Sequence, residues 1–272
     1  VLEDYQIVNG CQTSHVIFAH QNDISGDLFV PVKLIHTISE DVAQSIIKST
    51  NKQTNVEEND LLALTQFQRD LEDYYSAVQG DTKLYYERRA KQYASSGSIE
   101  KGRIITIGNQ LKCYASMFLD LPNQASRYQG TLLRTVKDRV FQSNHKPEPY
   151  FVSALAAYRF EIALRKLVNE ERDIRPFKYF LLFAFRVRYE PGNFPGAANK
   201  KVDDFCKVLG NNLADVTKAK VAFDEAVSIV REALAGLGLT AERDSAKSRA
   251  LIDEVRRIAT ARRLLSGVSP LT

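Results

Sequence analysis

Asn9, Gly10, Gln12 and Thr13 fall within five residues of one another at a change of local pattern, in the stretch Gln-Ile-Val-Asn-Gly-Cys-Gln-Thr of residues 6–13. Gln6-Ile7-Val8 suits a strand end, because β-branched residues fit a pleated, half-buried surface. Asn9-Gly10 tolerates positive φ and lets the chain turn sharply. Thr13 or Ser14 is placed to cap a helix running through Val16, Ile17 and Phe18. Such a strand–turn–helix junction turns backbone N–H groups and side-chain amides toward one point, where an anion or a nucleotide edge can bind. The same amides can also satisfy only each other within a well-made turn.

Two further segments carry comparable chemistry. Residues 49–55 read Ser-Thr-Asn-Lys-Gln-Thr-Asn, where Asn51 and Gln53 each offer donors and an acceptor able to read a base edge. Farther on, Arg88 and Arg89 could clamp a phosphate. They stand among Tyr85, Tyr86, Lys91 and Tyr93, an aromatic-and-basic interleaving that suits single strands. A sheet face packed on a helix accounts for the tyrosines equally well.

The elements that position these residues form an α/β start and a helical remainder. Phe29–Thr37 reads as a strand with Pro31 near its beginning. Ser39 caps a helix over 41–48, and Asn55 with Glu58 imitates a capping box for the next one. Leu61, Leu64, Phe67, Leu71, Tyr74 and Val78 recur at helical spacing, and Gly80-Asp81 ends that helix. Leu84–Tyr93 is expected to be extended. Arg103–Ile107 is a short strand, with Gly108-Asn109 turning into a helix through Phe118. The segment 120–150, rich in Asn, Gln, Ser and Pro, is the expected boundary between an α/β region (1–120) and a mainly helical domain (121–272). Phe177–Arg188 is apolar nearly all round and should be central to the second core. Helices are expected over Lys201–Leu209, over Leu213–Leu234 with Asn212 as its cap, and over Ala241–Leu265, the last charged and on the surface. The fold class is therefore α+β, a small mixed sheet with helices followed by helices alone.

The first two polar segments together resemble the AIPR (abortive-infection phage-resistance) family. There, an Ile-Val-Asn-Gly-x-Gln-Thr strand end precedes a strand and a helix leading to Thr-Asn-x-Gln, here Thr50 to Gln53. An Asp-Leu pair (Asp60-Leu61) and a Tyr-x-x-Arg-Arg-like element (Tyr86 to Arg89) follow. The order and spacing fit over roughly residues 4–115, and Cys11 occupies a variable position. The resemblance implies a bacterial anti-phage component of which this chain is the C-terminal portion, with an upstream region that would complete the N-terminal sheet. It also implies nucleic acid or a nucleotide as ligand, approached by Asn9, Gly10, Gln12, Thr13, Asn51 and Gln53, with other defence proteins as partners. The junction is distantly similar to the Asp-Gly-Gln-His-Arg element of the ParB/sulfiredoxin-like group. The His and Arg of that element are replaced here by Thr13 and Ser14, which removes any chemistry depending on them.

Other chemistries lack their residues. There is no phosphate-binding Gly-x-x-x-x-Gly-Lys-Ser/Thr loop and no Gly-x-Ser-x-Gly elbow. His15 and His20 would lie on different faces of a helix, His36 and His145 are isolated, and Asp4, Glu100 and Lys101 make no nuclease set. No metal, cofactor or catalytic constellation is implied. A partner effector docked on the helical half is the remaining reading. The 3 cysteines of the 272 residues are far apart, which suits a reducing cytoplasm and not a disulfide framework. No run reaches the length of a membrane span. Charge is segregated: residues 1–80 hold 12 acidic and 4 basic residues, and residues 81–190 hold 11 and 20. The basic segment either faces nucleic acid or neutralises the acidic one.

Overall fold

The computed structural model describes residues 11–24, 26, 29–37, 62–94, 96–126, 129–190 and 192–265. Contacts divide the chain into two compact units, residues 1–61 and 62–272. In the first, helix α1 spans Cys11–Ala19. It starts ahead of the expected caps: a capping hydroxyl needs a non-helical backbone, and Thr13 is already inside the first turn. Residues 29–37 form no strand. Their pattern has the right propensity, but a strand exists only with a hydrogen-bonded neighbour, and none pairs with it among the described residues. Phe29, Val32 and Leu34 are accordingly exposed. The expected elements over 39–48 and 55–61 lie outside the described residues.

The second unit opens with α2, Gln66–Ala77, which follows an extended Thr65. Phe67, Leu71 and Tyr75 form its buried stripe, so Tyr75 takes the place expected of Tyr74. Strand β1 (Tyr85–Glu87) lies parallel to β2 (Ile104–Thr106), with Tyr86 opposite Ile105. The expected extended run to Tyr93 stops at Glu87, and residues 89–94 turn, with Lys91 at φ 60°. A parallel pair needs a long crossover, which residues 88–103 supply. The next helix, α3 (Ile107–Phe118), follows β2 directly. Its cap is Thr106, whose hydroxyl accepts from the Asn109 N–H at 3.2 Å. Gly108 and Asn109 therefore form the first turn instead of a preceding loop.

Short helices α4 (Pro122–Ala125) and α5 (Gln129–Val136) pack on α3, so the chain on both sides of residue 120 shares one core. The long helices are α6 (Glu148–Lys166), α7 (Lys178–Tyr189), α8 (Val202–Asn211), α9 (Val216–Gly236) and α10 (Ala250–Leu265). A 3₁₀ segment, Asn169–Phe177, leads into α7. Every residue from Tyr179 to Val187 is buried, as an all-round apolar helix requires, and α3, α6, α9 and α10 surround it. Asp215, not Asn212, caps α9, accepting from the Lys218 N–H at 2.8 Å. The surface expectation for the last helix is corrected: Leu251, Ile252, Val255, Ile258 and Ala259 are buried against the core. Its many charges mask an apolar stripe at spacings of three and four.

Arg186, 5% exposed, carries charge into this helical core, as do Arg159 and Glu190. Arg186 donates to the Met117 carbonyl at 2.8 Å and pairs with Asp120 and Glu190. Arg256 reaches Asp120 at 3.0 Å and Arg263 reaches Glu190 at 2.6 Å. Arg186→Ala is expected to cost about 3–5 kcal/mol, because it strands buried charge. Urea unfolding measures this, and a loss below about 1 kcal/mol would show that the network contributes no more than a surface pair.

Candidate functional site

Of the residues singled out in the sequence, Asn9, Gly10, Asn51 and Gln53 lie outside the described residues. Gln12 and Thr13 sit in the first turn of α1, Thr13 exposed. Arg88 and Arg89 belong to the second unit, at the exit of β1.

Alternation along the strand decides which of these two arginines can meet a ligand. Leu84 and Tyr86 point inward and are buried, and the Tyr86 hydroxyl donates to the Gln68 side-chain oxygen. Arg88 continues on that inner side. Its Nε donates to Glu72 at 2.6 Å and its Nη1 to the Ala63 carbonyl at 2.8 Å. The Gln92 amide donates to the other Glu72 oxygen, and the Gln92 side chain accepts from the Arg89 backbone N–H. Burial pushes the Glu72 carboxyl up, but the hydrogen bonds from Arg88 and Gln92 and the charges of Arg88 and Arg89 outweigh it and hold it below its ordinary value. Arg88 is thus an anchor for the turn.

Arg89 and Lys91 lie on the exposed side of that turn. Tyr85 and Tyr93 stand edge to face with centroids 5.6 Å apart, both half-buried, and the Lys83 ammonium lies 5.5 Å over Tyr85. Tyr86 is a core residue, whereas Tyr85 and Tyr93 form a partly open aromatic pair beside exposed cations. Glu72 and Gln92 were not anticipated. Glu72 reads as one more polar residue on the outer side of α2, and nothing in its local pattern announces a partner sixteen residues away.

No other described group offers a better chemical centre. Burial pushes the Cys113 thiol up to about 12 and the Cys206 thiol higher still, so neither is a nucleophile at neutral pH. His145 Nδ1 lies 2.8 Å from the Tyr150 hydroxyl, and burial lowers its affinity for a second proton. Among the described residues there is no group of three side chains that could hold a metal ion, and no helix long and apolar enough to cross a membrane.

The geometry is that of a hydrogen-bonded turn that displays an arginine and a lysine beside two tyrosines, mounted on a helical body. The chain belongs to the AIPR protein family, whose pattern matches residues 1–232, and so to a family of anti-phage defence proteins. No curated protein and no solved structure matches it.

The Arg88–Glu72 pair makes stability depend on pH with a definite sign. Because the folded-state pKa of Glu72 is depressed, its contribution is present above the unfolded-state value and is lost as pH falls through the folded one. Arg88→Ala is expected to destabilise by about 2 kcal/mol at neutral pH. The gap to wild type should shrink as pH drops below about 4. Denaturant melts of both proteins across this range measure it, and a gap independent of pH would refute the assignment.

Proposed function

We propose that the chain is the nucleic-acid-binding component of a bacterial abortive-infection system, acting in the cytoplasm. The single observation that carries this reading is the state of the cations in the basic segment 81–190. Within the second unit Arg88 pairs with Glu72. Arg103, Arg159, Arg165 and Arg186 instead find carboxylates within the basic segment, and Lys146 bridges to Asp203. Arg89, Lys91, Lys101, Lys112, Lys166 and Lys178 make no salt bridge with any described carboxylate. Cations without a carboxylate partner among the described residues, with a tyrosine pair beside two of them, are what backbone phosphates and stacked bases require.

In this reading Asn9, Gly10, Gln12, Thr13, Asn51 and Gln53 read the ligand, Arg89 supplies charge, and Arg88 holds the turn that presents it. The likeness to the ParB/sulfiredoxin-like junction belongs to the same proposal. The damaging chemistry then resides in a partner protein.

Anisotropy titrations with single- and double-stranded DNA and RNA at several salt concentrations test this. Binding should weaken with salt, and Arg89→Gln and Lys91→Gln should each lower the slope of log K against log salt by about 1. Absence of binding at low salt, or binding without a slope, overturns the proposal. Heat on titrating ribonucleoside triphosphates that disappears in Gln12→Ala would replace it with a nucleotide-operated switch. A partner captured through residues 150–272 without any nucleic acid would replace it with a scaffold.

A further inference from the structure

Lys112 on α3 and Lys178 at the first position of α7 line one cavity of about 490 Å³ together with Ser126, Arg175, Arg243 and Lys247. Five cations thus face it and, among the described residues, no carboxylate does. Two of the five are partly engaged. Lys247 is held by Asp244 at 2.6 Å, and Arg175 donates through Nε and Nη2 to the Leu164 carbonyl, leaving Nη1 without a partner. Lys112, Lys178 and Arg243 make no salt bridge among the described residues.

Folded proteins seldom crowd like charges without a counter-charge, because each one raises the cost of the next. Lys112 bears that cost most directly: burial and the neighbouring Lys178 charge both push its ammonium below the ordinary lysine range. The positive end of the α7 dipole lies at the same place, and no side chain caps it. The Lys178 ammonium is steadied 5.0 Å over the Tyr179 ring, and Tyr179 is itself buried.

We infer that this cavity is a seat for phosphoryl groups, with Lys112 and Lys178 as its principal contacts. A phosphate supplies several acceptor oxygens at one centre, which suits cations arriving from α3, α7, the 3₁₀ segment and the loop before α10. A second cavity of about 250 Å³ shares Lys178 and Tyr179 and continues along α3 and α6 to Lys101 and Arg165, the latter engaged by Glu161. A ligand with successive phosphates would therefore find cations beyond the first seat. For the carrier of those phosphates the inference rests on the nucleic-acid reading above, while the phosphoryl chemistry stands without it.

The test uses the full chain, with Lys112→Gln/Lys178→Gln as the variant and Lys201→Gln/Lys207→Gln, exposed cations just before and on α8, as the charge-matched control. Inorganic pyrophosphate is titrated by calorimetry, and a single-stranded oligonucleotide by anisotropy over a salt series. The expected result is loss of the pyrophosphate signal and a fall in the salt slope by about 1 to 2 in the first variant only. Pyrophosphate should also protect Lys112 and Lys178 from acylation in the wild-type protein, a readout that needs no variant to fold. If pyrophosphate binds and protects but no nucleic acid binds, the seat stands and the nucleic-acid reading fails. If the oligonucleotide binds equally well to wild type and to Lys112→Gln/Lys178→Gln, with no protection of either lysine, the seat is wrong and the nucleic-acid reading survives.

Discussion

α7 has no polar face, so the second unit has to close around it on every side, and the charge carried into that shell dictates how it closes. Arg186 cannot sit 5% exposed without partners. It takes them from three places: the end of α3 through the Met117 carbonyl, the following loop through Asp120, and the end of its own helix through Glu190. Those two carboxylates are held in turn by Arg256 and Arg263 of α10. Hydrophobic burial draws the helices together without fixing their rotation. The directional bonds of three guanidiniums, Arg186, Arg256 and Arg263, through Asp120 and Glu190, tie α3, α7 and α10 to one another.

This dependence explains what could be read from the sequence. The all-round apolar run of α7 is a local property, and it was visible. So were the strand–helix junction at Thr106 to Phe118 and the break at Gly80, because turn and cap chemistry is written in neighbouring residues. The burial of α10 was not visible. Its Leu251, Ile252, Val255, Ile258 and Ala259 stripe is interleaved with Arg256, Arg257, Arg262 and Arg263, which read as a solvated face. Three of these arginines, Arg256, Arg262 and Arg263, are instead tied to acceptors far away in sequence. Residues 29–37 fail in the opposite way: their strand propensity is genuine, but a strand is a property of a pair.

The candidate site divides along the same line. Sequence spacing placed Arg88 and Arg89 as equivalent clamps. The period of two along β1 makes them opposites, since the residue that follows the inner side of Tyr86 meets Glu72 and the Ala63 carbonyl, and its neighbour meets solvent. Only the location of α2 relative to β1 decides this. The tyrosines divide likewise, Tyr86 into the core and Tyr85 and Tyr93 to a half-open edge.

Counting charges also conceals a difference between the two basic side chains. The guanidinium is planar, weakly hydrated and presents several fixed donors, so it can be buried against carbonyls and carboxylates. Arg88, Arg159 and Arg186 do this, Arg159 donating to the Leu213 and Ala214 carbonyls as well as to Asp81. An ammonium is strongly hydrated and gains less from such burial. Lys91, Lys101, Lys166 and Lys178 accordingly remain exposed, with Lys112 half-buried. The positive charge in residues 81–190 thus includes both buried arginines that tie elements together and exposed lysines at the surface.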